Sequence, residues 1–407
     1  MKTFFKRHVG LIIFLIIVLV FPTSLSNQAK LNMRMIVTGL AIDKVGEDYE
    51  VTAQIVKATP GTESPGTSAT IDFVSDSSKT LADAMSKITY KSGKVSAFSH
   101  ISFVILGEGI REEKATKCLD YFIRDKIVKA STMVAFAEGK AGDEIKKTKN
   151  IDLSVGLGIQ KTFLYKEYES DGIMTTILDF VNKSTSYGKC AVASVIKLSS
   201  EQSSQQNESS GSGAQSETSS SNSSNSSESE FFESRAPLMC FSAGMFKGKL
   251  ESEEEIFGYM MSNPRVKAGD FVVEKIETDT FKNAKATIFI KDKMNLKKVR
   301  YENGKPRIDL TVVINNAEIV EVLSDESVLR ISPEEYKSVE KAFQKELSKE
   351  IGICFEKAKE MGVDIFNAYE TAYKFNYKET NKRYKNVDNF ISDLKLNVNV
   401  LVQKLDY

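Results

Sequence analysis

The sequence predicts two unlike regions in one chain: an α/β region with a mixed sheet and packed helices, then an α+β region with an antiparallel sheet and a long amphipathic helix pair. Three observations carry this. Strand-period and helix-period runs alternate before residue 198, period-2 runs accumulate after residue 231 and give way to a long period-3.6 stripe, and about half of 199–230 is serine. That stretch, otherwise Asn, Gln, Glu and Gly, has little apolar surface to offset ordering, so it is expected to be a flexible linker. The regions it separates, 30–198 and 231–407, are each long enough for a core.

In the first region, the β-rich runs 35–42 and 49–56 flank Gly46-Glu47-Asp48 and predict a hairpin. A loop carrying Pro60-Gly61 and Pro65-Gly66 follows. Leu81, Ala84, Met85 and Ile88 share one helical face within 80–90, and 101–106 is a short apolar strand closed by Gly107. Ala115, Cys118, Leu119, Phe122 and Ile123 mark a second helix, after which 129–137 returns as a strand before Gly139. A helix over 174–182 and a strand over 191–198 extend the series.

The second region opens with a strand over 240–246 and a helix over 252–261. Strands then follow at 271–277, 284–291, 307–314 and 318–322; Ile308, Leu310, Val312 and Ile314 share a face. Ser332-Pro333-Glu334-Glu335 supplies a capping hydroxyl, a proline at the first helical position and a glutamate three residues on. The stripe Tyr336, Val339, Phe343, Leu347, Ile351, Phe355 and Ala358 runs from there to Gly362, a helix of about 29 residues and ~43 Å. A second helix begins near Asp364. Leu394, Leu396, Val398, Val400 and Val402 alternate with Lys395, Asn397, Asn399 and Gln403, predicting a half-buried antiparallel strand at the end.

At the N-terminus, Lys2, Lys6 and Arg7 precede an apolar run, 9–21, closed by Pro22. Residues 1–26 therefore read as an export signal, cut after Ser24-Leu25-Ser26, or as a retained N-terminal membrane anchor. No cysteine follows closely enough to be lipidated. Cys118, Cys190, Cys240 and Cys354 lie far apart among apolar neighbours, which favours buried free thiols over two disulfides. Lys+Arg and Asp+Glu both number 55, a balance that gives no field for holding nucleic acid. With only His8 and His100, and without a phosphate loop, HExxH or paired-cysteine motif, no catalytic, metal or cofactor site is expected and the chain is not read as an enzyme. A cell-surface hydrolase without a recognised motif is the weakest reading.

Several segments then fall in a telling order. Ile36-Val37-Thr38-Gly39-Leu40-Ala41-Ile42-Asp43 is followed by Tyr49-Glu50-Val51-Thr52-Ala53-Gln54-Ile55-Val56. Next come Ser99-His100, Phe103-Val104-Ile105-Leu106-Gly107-Glu108 and Leu119-Asp120-Tyr121-Phe122-Ile123-Arg124-Asp125. Ala243-Gly244-Met245-Phe246 with Lys249-Leu250, the long capped helix, Asp364-Ile365-Phe366 and the terminal strand complete the set. Over most of the chain this series resembles the Ger(x)C family, the C subunits of spore nutrient germinant receptors, which are normally lipoproteins. The resemblance implies a non-catalytic, extracytoplasmic, membrane-associated subunit required for triggering spore germination. It also implies partnership with membrane-embedded A-type and B-type receptor subunits in the spore inner membrane, the complex responding to small nutrients.

The sequence departs from the family where Leu25 and Ser26 stand in place of a lipobox cysteine, in having no tryptophan, and where Asn367-Ala368-Tyr369 replaces a glycine-rich continuation. Thr38, Gly39, Asp43, His100, Gly107 and Asp364 fall on family motifs without an assigned role, and no germinant-binding residue is identified. Read by themselves, His100 is a hydrogen-bonded structural residue, and turn preference explains Asp43. The runs Glu253-Glu254-Glu255 and Lys297-Lys298 read as solvated faces. The alternative is an exported solute-binding module serving a membrane transporter, which would need a cleft with convergent polar groups.

Overall fold

The computed structural model describes residues 34–60, 67–125, 127–150, 155–197, 236–277, 282–324, 327–328 and 331–406. The expected export segment, the serine-rich segment and the Gly61 and Pro65-Gly66 positions lie outside the described residues. The expected hairpin is formed by β1 (Arg34–Val45) and β2 (Asp48–Pro60), with Gly46 at φ +62 in the turn. A strand that the sequence did not announce, β3 (Thr67–Ser78), pairs with β2 along its whole length, from Pro60 opposite Thr67 to Tyr49 opposite Ser78. On the other side β1 pairs in parallel with β4 (Val95–Ala97) and β5 (Phe103–Leu106). Next to β5 lies β6 (Met133–Phe136), also parallel, and β6 is closed by the antiparallel β7 (Thr175–Thr176). The seven-stranded sheet is mixed, as predicted.

Both faces of this sheet are covered, and strand alternation divides its side chains between two cores. Leu40, Ile42, Val104, Leu106, Val134 and Phe136 point to one side. There they meet α1 (Leu81–Ser92) and α3 (Ala115–Asp125), which follows the short α2 (Glu108–Glu112). Ala41, Phe103, Ile105, Met133 and Ala135 point to the other, against α4 (Ala141–Lys146) and α5 (Val155–Glu169). Burial on both faces is why these strands read as unbroken apolar runs.

The serine-rich segment does not divide two independent bodies. After α6 (Ile177–Thr185), β8 (Cys190–Ser194) pairs antiparallel with β9 (Leu238–Ser242), a strand from beyond that segment, and Ser194 lies opposite Leu238. β10 (Met245–Leu250) completes a three-stranded sheet. The run predicted as one strand over 240–246 is thus a hairpin, turned by Ala243 at φ +50 and Gly244 at φ +81. This small sheet is a wall between two cores. Ala191, Ala193, Met239 and Phe241 pack into the first region, while Cys190, Val192, Leu238 and Cys240 pack into the second. Limited proteolysis should cut 199–230 first, and the two fragments should co-elute on native size exclusion and separate only in denaturant. Protection of that stretch while 59–70 is cut would count against the tether; fragments parting in native buffer would count against the wall.

In the second region α7 (Glu253–Ser262) starts with a capping box, Ser252 with Glu255. β11 (Gly269–Ile276), β12 (Ala284–Glu302) and β13 (Lys305–Ser324) form an antiparallel sheet. The two strands predicted at 307–314 and 318–322 are one continuous β13. A short β14 (Ser327–Val328) precedes α8 (Pro333–Met361), which has the predicted capping box at Ser332 and ends at Gly362, φ +67. Instead of one partner helix, three short ones follow: α9 (Ala368–Phe375), α10 (Tyr377–Arg383) and α11 (Val387–Asp393). The terminal β15 (Lys395–Val402) pairs with β13 in parallel, from Arg307 opposite Lys395 to Ile314 opposite Val402, and β16 (Leu405–Asp406) continues along it. The expected antiparallel pairing is thereby corrected. The helices between β13 and β15 carry the chain back to its starting end, so the last strand re-enters in the same direction.

Candidate functional site

Of the six motif positions, four lie close to the packing of β1 in the first region and form a lock there, Thr38 half-buried and the other three buried. Thr38 is the extra residue of a bulge in β1; its hydroxyl donates to Gln54 Oε1 at 2.8 Å, and Gln54 Nε2 donates to Thr148 Oγ1 at 2.6 Å. Gly39 lies under Phe103, where a Cβ would come 2.3 Å from the ring. Asp43, far from serving a turn, is buried and accepts the Ala141 and Gly142 N–H groups, one on each oxygen, both at 2.8 Å. Burial raises its pKa against these two bonds. Gly107 leaves room for that carboxylate, since a Cβ there would lie 1.8 Å from Asp43 Oδ1. His100 is apart from the lock and exposed at the end of a 3-10 turn, Phe98–His100. The lock ties β1, the segment after β5 and the start of α4 together; its carboxylate is held by backbone donors and is shaped for structure.

Asp364, the sixth position, lies in the second region at the joint with the first. Its Oδ1 accepts from Ala368 N at 2.7 Å and its Oδ2 from Tyr369 N at 2.9 Å, closing the start of α9 and holding Asn367 at φ +53. Gly188, from the loop before β8, packs on it; a Cβ there would lie 3.1 Å from Asp364 Oδ2. Lys297 lies close by, half-buried, donating to Phe366 O at 3.2 Å. Burial pushes Asp364 up to about 7, opposed by the two N–H donors and by Lys297. Burial pushes the Lys297 ammonium down to about 8, opposed by Asp364.

Lys297 belongs to an inverted stretch of β12. Lys293, Asn295 and Lys297 point inward, while Met294 and Leu296 are exposed. The inward groups have carbonyls to satisfy: Lys293 Nζ donates to Asn263 O at 3.0 Å and Asn295 Nδ2 to Met261 O at 2.9 Å, at the C-terminal end of α7. A cavity of about 20 Å³, room for about one water, lies beside this stretch. Lys183, Cys190 and Val192 line it from the first region, and Tyr259, Asn263, Lys297, Ile365 and Asn367 from the second. Burial, then the nearby Arg265, lowers the Lys183 pKa. All four cysteines are free and buried, and burial lifts the Cys118 thiol to about 12, so these sulfurs are poor nucleophiles.

The joint predicts a pH dependence. From about pH 4 to about 7 the folded chain keeps a proton on Asp364 that the unfolded chain has released, so this group's contribution to stability falls as pH rises. From about 8 to 10.5 the folded chain has lost a Lys297 proton that the unfolded chain retains, so the contribution recovers. Lys293, pushed down to about 7, acts with the same sign as Lys297. Subtracting the urea-unfolding profile of Asp364→Asn from that of the parent should isolate the falling limb, and Lys297→Met the rising one. Difference profiles flat across both windows would refute the assignment.

Sequence reasoning selected Asp364 but not its neighbours. Lys297 was read as a solvated charge run; the signal that could have found it is the alternation Lys293, Asn295, Lys297, Val299, with polar residues on the buried face. Gly188 and Lys183 carried no local signal.

Comparison with known proteins bears on what this arrangement serves. Residues 27–198 match the family model described as spore germination protein N-terminal domain. Residues 240–403 match the model described as spore germination B3/GerAC like, C-terminal. Among solved structures, one titled "Crystal Structure of the GerBC protein" is 18% identical, aligned over 90% of this chain and 96% of that chain with a TM-score of 0.53, a likeness of fold. No curated protein matches.

Proposed function

The chain belongs to the spore germination protein family that its two halves match, and from that premise we propose that it is the C-type subunit of a nutrient germinant receptor. The observation that carries this reading is the order of the two matches, one on each side of the serine-rich segment. In this reading the chain is non-catalytic and extracytoplasmic, and works beside membrane-embedded A-type and B-type subunits at the spore inner membrane. What supports a binding or scaffolding role is the character of its buried polar groups. Asp43 and Asp364 are each committed to two backbone donors, and the thiols are buried in apolar surroundings. Among the described residues no helix is long and apolar enough to cross a membrane, so attachment would rest on the partner subunits or on 9–21.

The test is genetic. Deleting the gene should leave spore formation intact and abolish or slow germination with at least one nutrient, while non-nutrient triggers still act. Spores that answer every nutrient at the parental rate, in a strain also lacking related receptors, would overturn the reading. Flanking genes encoding an ATPase and a permease would point to the solute-binding alternative.

A further inference from the structure

On the outer side of the same joint lies a cleft of about 630 Å³ between the loop that leads into β8 and helices α9, α10 and α11. We infer that this cleft binds a small organic anion, a carboxylate or phosphate carried on a flat ring. Its size is that of a small-molecule site, and its walls come from both halves of the chain. Tyr187 from the loop stacks on Tyr373 of α9 with ring centroids 4.1 Å apart, and Tyr377 meets Tyr373 edge-on at 5.0 Å. Tyr187 and Tyr377 are 53% and 50% exposed, so this aromatic group is reached by solvent instead of filling a core.

The charges on the lining have one sign. Lys189 and Lys385 line the cleft and make no ion pair among the described residues, and no carboxylate lines it. On the neighbouring helices, by contrast, Lys374 pairs with Glu370 and Arg383 with Glu379. Lys189 is also held in place at a conformational cost. It sits at φ +50, fixed by its N–H to Ser186 O at 3.1 Å and its carbonyl accepting from Ala243 N at 2.7 Å. Two cations without ion pairs beside solvent-reached tyrosine rings match an anionic head and a flat body.

The inference does not depend on the receptor reading. A chain that binds such an anion but whose loss leaves germination unchanged would keep the site and lose the role. The test is titration of the full chain with benzoate and phenyl phosphate, followed by tyrosine fluorescence and calorimetry, with benzamide and acetate as controls. Saturable binding of at least one ring anion is expected, with the neutral ring and the ringless anion about tenfold weaker or more. Lys189→Gln with Lys385→Gln should weaken it about tenfold while the melting curve stays parental. Binding of one ring anion alone would settle whether the head is carboxylate or phosphate. The inference is overturned if neither ring anion binds, if benzamide binds as well, or if the folded double variant binds like the parent.

Discussion

Replacing Asp364 by alanine should lower the unfolding free energy by about 2–5 kcal/mol, since each buried donor left without its acceptor costs about 1–3 kcal/mol. The truncation leaves the Ala368 and Tyr369 N–H groups without acceptors and Lys297 without its neighbouring carboxylate, at a position only 3% exposed. Asp364→Asn keeps one acceptor oxygen and should lose markedly less. The effect should also reach the outer cleft, because Ala368 and Tyr369 begin the helix that carries Tyr373, and fraying there would part the stacked rings. Urea denaturation with tyrosine fluorescence follows both. A loss below about 1 kcal/mol, the worth of an ordinary hydrogen bond, would show that the carboxylate is not the keystone of the joint.

Gly107→Ala should be comparably damaging in the first region, by about 3–5 kcal/mol, although it adds a single methyl group. Gly107 has φ −83 and ψ 177, a backbone conformation open to any residue, so the effect is steric. The new Cβ would sit 1.8 Å from Asp43 Oδ1 and 3.1 Å from Ala141 N. Asp43 would have to leave the two N–H groups it holds, each worth about 1.5–3 kcal/mol as a hydrogen bond to a charged group. A double-mutant cycle tests this mechanism. In an Asp43→Ala background, adding Gly107→Ala should be much milder, giving an interaction energy of about 1–3 kcal/mol. Additive losses would mean that the methyl group clashes elsewhere.

Local signals made much of the fold legible. The β1–β2 hairpin, the stripe on α1 and the capping box at Ser332 depend on neighbouring residues, and each formed where the sequence placed it. What escaped depends on partners distant in sequence. β3 is rich in Ser, Thr and Asp and reads as loop, yet its backbone completes a twelve-pair ladder with β2. The helix Val155–Glu169 lacks a clear apolar stripe but contributes Ile159 and Phe163 to the sheet's second core. The Ala243-Gly244 turn was hidden because alanine at positive φ is not a turn signal. Alternation in β15 gave its buried face but could not give the direction of its neighbour. The candidate site was legible only as isolated motif letters. Asp43 with Gly107, and Asp364 with Gly188 and Lys297, become pairs only when the chain has folded.

The wall shared by the two cores also sets an order of events as the chain is made. Met239 and Phe241, which close the first core, emerge only after the serine-rich stretch has been translated. At ~5–20 residues per second that stretch alone delays them by roughly 2–6 s. During the delay the segment of β8 would have no ladder partner and Ala191 and Ala193 no cover from Met239 and Phe241, leaving backbone groups open to pairing with a wrong strand. The length of the serine-rich segment therefore sets how long β8 waits for its partner, and shortening it should shorten that interval.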